Sequence, residues 1–177
     1  MWFLVLAMVA CGRTGPQRPT QRTSEPPRMD STVTSLLELN RRMACEADKI
    51  LLNMADSLQR TNGTAYAQLA CGGWLNKRAA KDSEKYLYED TPQFNEKWLI
   101  RIKTYRLNGT LVSDTEATYT VKKYDLPIAV EEAIEEMCAG ETRIVLAPWY
   151  VAYGIHGKGA VAGYENVIFE VTLKNKK

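Results

Sequence analysis

Apolar residues recur at Val33, Leu36, Leu37, Met43, Ala44, Ala47, Ile50, Leu51, Met54 and Leu58, mostly three and four positions apart. That spacing lays one stripe along an α-helix. Ser31 or Thr32 supplies an N-cap and Asn62-Gly63 a stop, so the helix runs about 30 residues and about 45 Å. From Thr64 the period shortens toward two, and strands are expected over 65–75, 97–107, 110–121, 142–148 and 166–173. In the last of these, Val167, Phe169, Val171 and Leu173 alternate with Ile168, Glu170 and Thr172. Asn108-Gly109 between two such runs signals a tight hairpin.

One short helix interrupts the strands, expected over 127–139. Pro127 suits its start, and Val130, Ala133, Ile134, Met137 and Cys138 form its apolar stripe. Glu131, Glu132, Glu135 and Glu136 fall on the other faces, and Gly140 suits a left-handed residue after the last turn. The order of strands, one helix and two strands argues an α+β fold with a mainly antiparallel sheet. The long first helix has two readings, a dimerisation or partner-docking element and a helix packed on its own domain. Its stop precedes the strands, so a chain beginning near Thr61 is expected to fold cooperatively without it.

Composition narrows the function more than the fold. The chain has 177 residues, 45% hydrophobic and 25% charged, which suits one soluble domain with extensions. The 23 Lys and Arg against 21 Asp and Glu leave a net charge of +2, with no basic excess that points to nucleic acid. His156 is the single histidine, which excludes zinc sites built on several histidines and leaves triads one base at most. Cys138 or Cys71 with His156 lacks a third orienting group for thiol catalysis. His156-Gly157-Lys158-Gly159 lacks the spacing of a phosphate-binding loop and reads as a flap loop.

Met1 to Ala10 are all apolar, long enough for a signal-peptide core and too short to span a bilayer. Cys11 follows Val9-Ala10, which resembles the lipobox of bacterial lipoproteins, where the cysteine is lipidated. The departures are Met8, where Leu is usual, and the lack of Lys or Arg ahead of the run. Residues 12–28 hold four prolines and four arginines against the single acid Glu25, and read as a solvated tether. The expected organisation is a signal peptide over 1–10, a lipidated tether over 11–30, a helix over 31–61 and a sheet domain over 62–177. The expected location is the cell envelope, lipid-anchored to a bacterial membrane. Cys45, Cys71 and Cys138 then leave an odd thiol, and their pairing stays open.

Residues 126–173 resemble the C-terminal core of FKBP-type peptidyl-prolyl isomerases. The matching pieces are the acid-paired helix from Glu131 to Met137, then Gly140, Ala152-Tyr153-Gly154, Gly157, Gly159 and the strand from Val167 to Leu173. A weaker likeness reaches back through 105–114 to Trp98. With the lipobox and long helix, the chain is similar to the lipoprotein branch that includes gliding-motility-associated isomerases. The resemblance implies an FKBP-like antiparallel sheet wrapped around a short helix, and rotation of X-Pro amides in exported or envelope polypeptides. The barrier to that rotation is about 18–20 kcal/mol, because the twist breaks amide resonance. No covalent bond breaks, so the chemistry asks for no cofactor and no metal. An apolar pocket that favours the twisted amide suffices.

The resemblance implies that Tyr153 donates its hydroxyl to a substrate carbonyl while Val161 and Phe169 line the proline pocket. Val112, Ser113, Leu126 and Val130 fall on further pocket positions. There the family's floor Trp is replaced by Val130 and its Phe-Asp pair by Val112-Ser113, with Asp114 one place late. Its Ile-Pro-Pro falls on Val161-Ala162-Gly163. Its Val-Ile pair falls on Leu126-Pro127, and proline brings no N–H to the Ile position unless Ile128 takes its place. A catalytically weak binding or chaperone lipoprotein is the alternative these departures leave open. The partners implied are proline-containing polypeptides, a membrane through the anchor, and a second copy through the long helix.

Overall fold

The computed structural model describes residues 31–77 and 91–177. The expected signal peptide, Cys11 and the expected tether lie outside the described residues. Helix α1 (Ser31–Asn62) comes first, followed by strands β1 (Tyr66–Gln68), β2 (Trp74–Asn76), β3 (Lys97–Arg106) and β4 (Leu111–Thr120). Helix α2 (Ile128–Glu135), β5 (Thr142–Ala147), a 3-10 turn (Trp149–Val151) and β6 (Val167–Lys176) complete the order. The six strands form one antiparallel sheet in the order β1-β2-β5-β6-β3-β4. The α+β architecture follows the sequence pattern closely.

The turns sit where their residues place them. Gly63 adopts φ +68° and its N–H caps the Gln59 carbonyl at 3.0 Å, ending α1. Gly109 (φ +83°) closes the β3–β4 hairpin onto the Arg106 carbonyl. Two expectations need correction. The run 65–75 is two strands rather than one, because Gly72 at φ +107° turns the chain back so that Gln68 pairs with Trp74. Helix α2 ends at Glu135 rather than Ala139. Met137, Cys138 and Glu141 continue as turns, and Gly140 (φ +78°) then donates to the Leu173 carbonyl at 2.7 Å.

The sheet is covered by α2 on one face and by α1 on part of the other. Residues of even number on β3 and odd number on β6 share one face, since Ile100 opposes Leu173, Ile102 opposes Val171 and Thr104 opposes Phe169. Val145 and Ala147 of β5 extend that face, which packs on Ala129, Val130, Ala133 and Ile134 of α2. The opposite face is divided. At the β2–β5–β6 end, Trp74, Leu146, Ile144 and Ile168 receive Leu51, Met54, Ala55 and Leu58 of α1. At the β3–β4 end it is a charged ladder, with Arg101 on Asp114 at 2.6 Å and Lys103 on Glu170 at 2.6 Å.

Helix α1 packs on its own domain along part of its length. From Leu51 to Leu58 it docks on its own sheet, and Leu51 is wholly enclosed. Toward its start, Val33, Leu36, Leu37 and Leu39 stay exposed, Leu36 by 54%. The expectation that the sheet folds independently of α1 meets a shared cluster of Leu51, Ala55, Trp74 and Leu146.

Candidate active site

The row Ser113, Thr104, Phe169 and Val145 runs side by side across β4, β3, β6 and β5 on the α2-facing side of the sheet. Strand alternation fixes this row, because each residue is the direct cross-strand partner of the next. The Tyr153 ring crosses it. Its centroid lies 5.7 Å from that of Phe169 in an edge-on arrangement, and its hydroxyl stands 3.4 Å from Thr104 Oγ1. That separation is long for two hydroxyls, so the Tyr153 hydroxyl remains able to take a better acceptor. The Lys158 ammonium lies 5.7 Å from the Tyr153 ring centroid, within cation–π range.

Val130 and Val161 join the same buried cluster as Phe169, and Val112, Leu126, Ile102 and Tyr153 pack against it half-buried. All three expected catalytic positions are thus brought together, with Val112, Leu126 and Val130 beside them. Phe169 and Val130 have no exposed surface. The space expected to be an apolar cavity between helix and sheet is filled by these side chains, and Val112, Leu126 and Tyr153 form its half-buried rim. Ser113 stands apart in one respect, being exposed at the outer end of the row on the edge strand β4. Asp114 faces the other side of the sheet, held by Arg101 through two hydrogen bonds of 2.8 and 2.6 Å. Those bonds keep its carboxyl below the usual carboxylate range.

Glu131 is a correction to the sequence reading, which placed it on a polar face of α2. Here it is buried, accepting from the Tyr119 hydroxyl at 2.6 Å and the Leu126 N–H at 3.0 Å. Burial first, then the Glu131 carboxylate, pushes the Tyr119 phenol well above its ordinary range, so it stays a donor. The Leu126 N–H is thereby engaged, and Pro127 has none. Pro127 instead offers its carbonyl to the N–H groups of Val130 and Glu131 at 2.9 and 3.1 Å. Ile128, the first residue of α2, has its N–H ahead of any intrahelical acceptor. Its side chain is 53% exposed. Thr104 and Glu131 are the site residues the sequence reading missed. Thr104 was legible as the polar member of an otherwise apolar alternation from Trp98 to Ile102, while nothing distinguishes Glu131 from the acids around it.

The loop between the 3-10 turn and β6 carries Tyr153 and Val161 and is internally tight. The Gly154 N–H donates to the Trp149 carbonyl at 2.7 Å, the Tyr164 N–H to the Gly154 carbonyl at 3.1 Å, and Lys158 and Val161 bond each other twice at 3.0 Å. A Cβ on Gly163 would lie 2.1 Å from the Ile155 carbonyl oxygen, so only glycine permits that crossing. The segment read as a flap, 156–159, is part of this closed turn.

Residues 90–174 match the family model of the FKBP-type peptidyl-prolyl cis-trans isomerases. These residues form an FKBP-type isomerase domain. The matched span runs through β3, β4, α2, β5 and most of β6, and it contains every site residue described above. The isomerase fold is also that of a peptidyl-prolyl cis-trans isomerase of Pseudomonas syringae pv. tomato, with a TM-score of 0.55 at 16% identity. That match covers 75% of this chain and 94% of the other. No curated protein sequence matches the isomerase.

Proposed function

We propose that this FKBP-type isomerase speeds cis–trans exchange of X-Pro bonds in exported or envelope polypeptides, seating the proline at the rim formed by Tyr153, Leu126 and Val112. The observation that carries this reading is the Tyr153 hydroxyl, held only loosely by Thr104 above the apolar cluster of Phe169, Val161 and Val130. A substrate carbonyl accepts from that hydroxyl while the amide lies against apolar walls. The planar amide is the more dipolar form, so a water-poor wall disfavours it relative to the twist. Ile128 N–H, one residue on, stands in for the backbone donor that Pro127 lacks.

Export and anchoring rest on the sequence, on the apolar run 1–10 ending at Cys11 and on the Pro- and Arg-rich stretch after it. A lipid on Cys11 would hold the domain at the membrane, and the exposed start of α1 offers a second copy an apolar surface. One observation favours slow turnover, in which binding outweighs catalysis. The floor is filled, and the Leu126 N–H is consumed by Glu131. A protease-coupled isomerisation assay on short X-Pro peptides decides. Exchange faster than the spontaneous 10–100 s supports the isomerase reading, and peptide binding without acceleration supports the binding module.

A further inference from the structure

Helix α1 lies outside the matched residues, yet it bonds directly to the loop that carries Tyr153 and Val161. The Tyr150 hydroxyl donates to Asp48 Oδ1 at 2.6 Å, and the Tyr164 hydroxyl donates to Asn40 Oδ1 at 2.6 Å. These two tyrosines stand at the two ends of the loop. They flank Trp149, whose ring lies 5.6 Å from Tyr150 and 4.7 Å from Tyr164. Asp48 and Asn40 are polar residues on the docking side of α1, two turns apart, each placed where a tyrosine hydroxyl arrives.

We propose that Asp48 and Asn40 are positioning residues of the isomerase, setting the height of Tyr153 over Phe169 through Tyr150 and Tyr164. Four observations converge on this. Tyr150 is clamped between Asp48 and the backbone of Gly72, where a Cβ would lie 2.7 Å from its hydroxyl oxygen. Tyr164 holds φ +60°, a left-handed conformation unusual for a tyrosine, and its hydroxyl is tied to Asn40. The loop between them is closed on itself by the bonds of Gly154, Lys158, Val161 and Tyr164, so displacing its ends displaces Tyr153. From the other side Arg106 holds it, bonding Glu165 at 2.8 Å and the Ala160 carbonyl at 2.8 Å. The loop is thus suspended between β3 and α1, and α1 is the side outside the residues that the family model matches. Burial, reinforced by Asp48, pushes the Tyr150 phenol well above its ordinary range, so it keeps its proton and stays a donor to Asp48.

The inference rests on the isomerase reading, and two readouts on the full chain separate them. Asp48→Ala, Asn40→Ala and the double variant are compared with Asp48→Asn, which keeps a carbonyl acceptor. The first readout is hydrogen exchange of the Gly154 and Val161 amides, both bonded within the loop. The second is the split of kcat and KM on X-Pro peptides. The expected result is exchange about tenfold faster at those amides in the double variant, with β5 and β6 amides unchanged. Alongside it, kcat falls about three- to tenfold, KM moves little, and Asp48→Asn rescues most of the loss. Unchanged loop exchange in the double variant would overturn the anchor. Loosened exchange with unaltered kcat would overturn the positioning role. Loosened exchange in a chain whose wild type does not isomerise would support the anchor and refute the isomerase reading.

Discussion

Tyr153→Phe and Phe169→Ala should separate site from scaffold. Among the described residues the Tyr153 hydroxyl has the 3.4 Å contact to Thr104 Oγ1 and no shorter one, so its removal should cost the fold well under 1 kcal/mol. If the same hydroxyl bonds a substrate carbonyl more tightly in the twisted state, its loss removes about 1 kcal/mol there, or about fivefold in kcat/KM. Phe169 is fully enclosed and supports the Tyr153 ring edge-on. Truncation to Ala should therefore cost about 3–5 kcal/mol of stability, with the edge contact adding about 0.5–1.5 kcal/mol. With a urea slope of about 1–3 kcal/mol per molar, the midpoint should fall by at least 1 M or so. Phe169→Leu keeps most of the volume and serves where the Ala variant does not fold. Urea melts followed by protease-coupled isomerisation of the same samples give both numbers. A Tyr153→Phe enzyme with full kcat/KM would remove the hydroxyl from the mechanism. A Tyr153→Phe melt shifted as far as that of Phe169→Ala would show Tyr153 to be scaffold.

Alkylation at pH 8 should label Cys45 first, since it is exposed, then Cys71, then Cys138 only on unfolding. Burial raises the Cys71 thiol to about 11, leaving on the order of one thiolate in a thousand at pH 8; peptide mass spectrometry that found Cys71 labelled as fast as Cys45 would contradict this. Cys11→Ser should release the protein from the membrane fraction, and unchanged sedimentation of the variant would end the lipoprotein reading. Gly163→Ala should open the Tyr153 loop, because a Cβ there meets the Ile155 carbonyl oxygen at 2.1 Å; intact isomerisation by that variant would show that the crossing does not matter.

The fold was legible because its signals are local and redundant. The β6 alternation, the Asn108-Gly109 turn, the α1 stripe and Gly140 each specify one element by period or by a left-handed residue. The expected site residues converge because β6 and the loop before it fix Phe169, Val161 and Tyr153 relative to one another. What escaped is what pairing across the chain decides. Glu131 is one of three glutamates on a short helix, and only the arrival of Tyr119 and the Leu126 N–H makes it interior. The split of 65–75 into two strands followed from Gly72-Gly73, whose turn competes with a continuous run of strand formers. Asp48 and Asn40 sit on a helix face that read as apolar, and their partners lie 102 and 124 residues away.

The same long-range pairing changes what removal of α1 should do. A chain beginning near Thr61 keeps every residue of the matched domain but uncovers Trp74, Leu146, Ile144 and Ile168 on the sheet. It also strips the acceptors from Tyr150 and Tyr164, which flank the loop that carries Tyr153. Of the described residues of α1, Leu51 has no exposed surface, and its truncation to Ala in the full chain should cost about 2–5 kcal/mol. That is a large part of the roughly 5–15 kcal/mol by which domains are stable. Leu36, exposed by 54%, should cost no more than about 0.5 kcal/mol on the same substitution. Urea midpoints of Leu51→Ala, Leu36→Ala and the shortened chain should therefore rank with Leu36→Ala highest and the shortened chain lowest. Concentration dependence separates a second function of the helix, since a pair of chains joined through Val33, Leu36 and Leu37 would make Leu36→Ala costly only where chains associate. A shortened chain that melts at the full-length midpoint would show that the seam of Leu51, Trp74 and Leu146 contributes nothing to the fold.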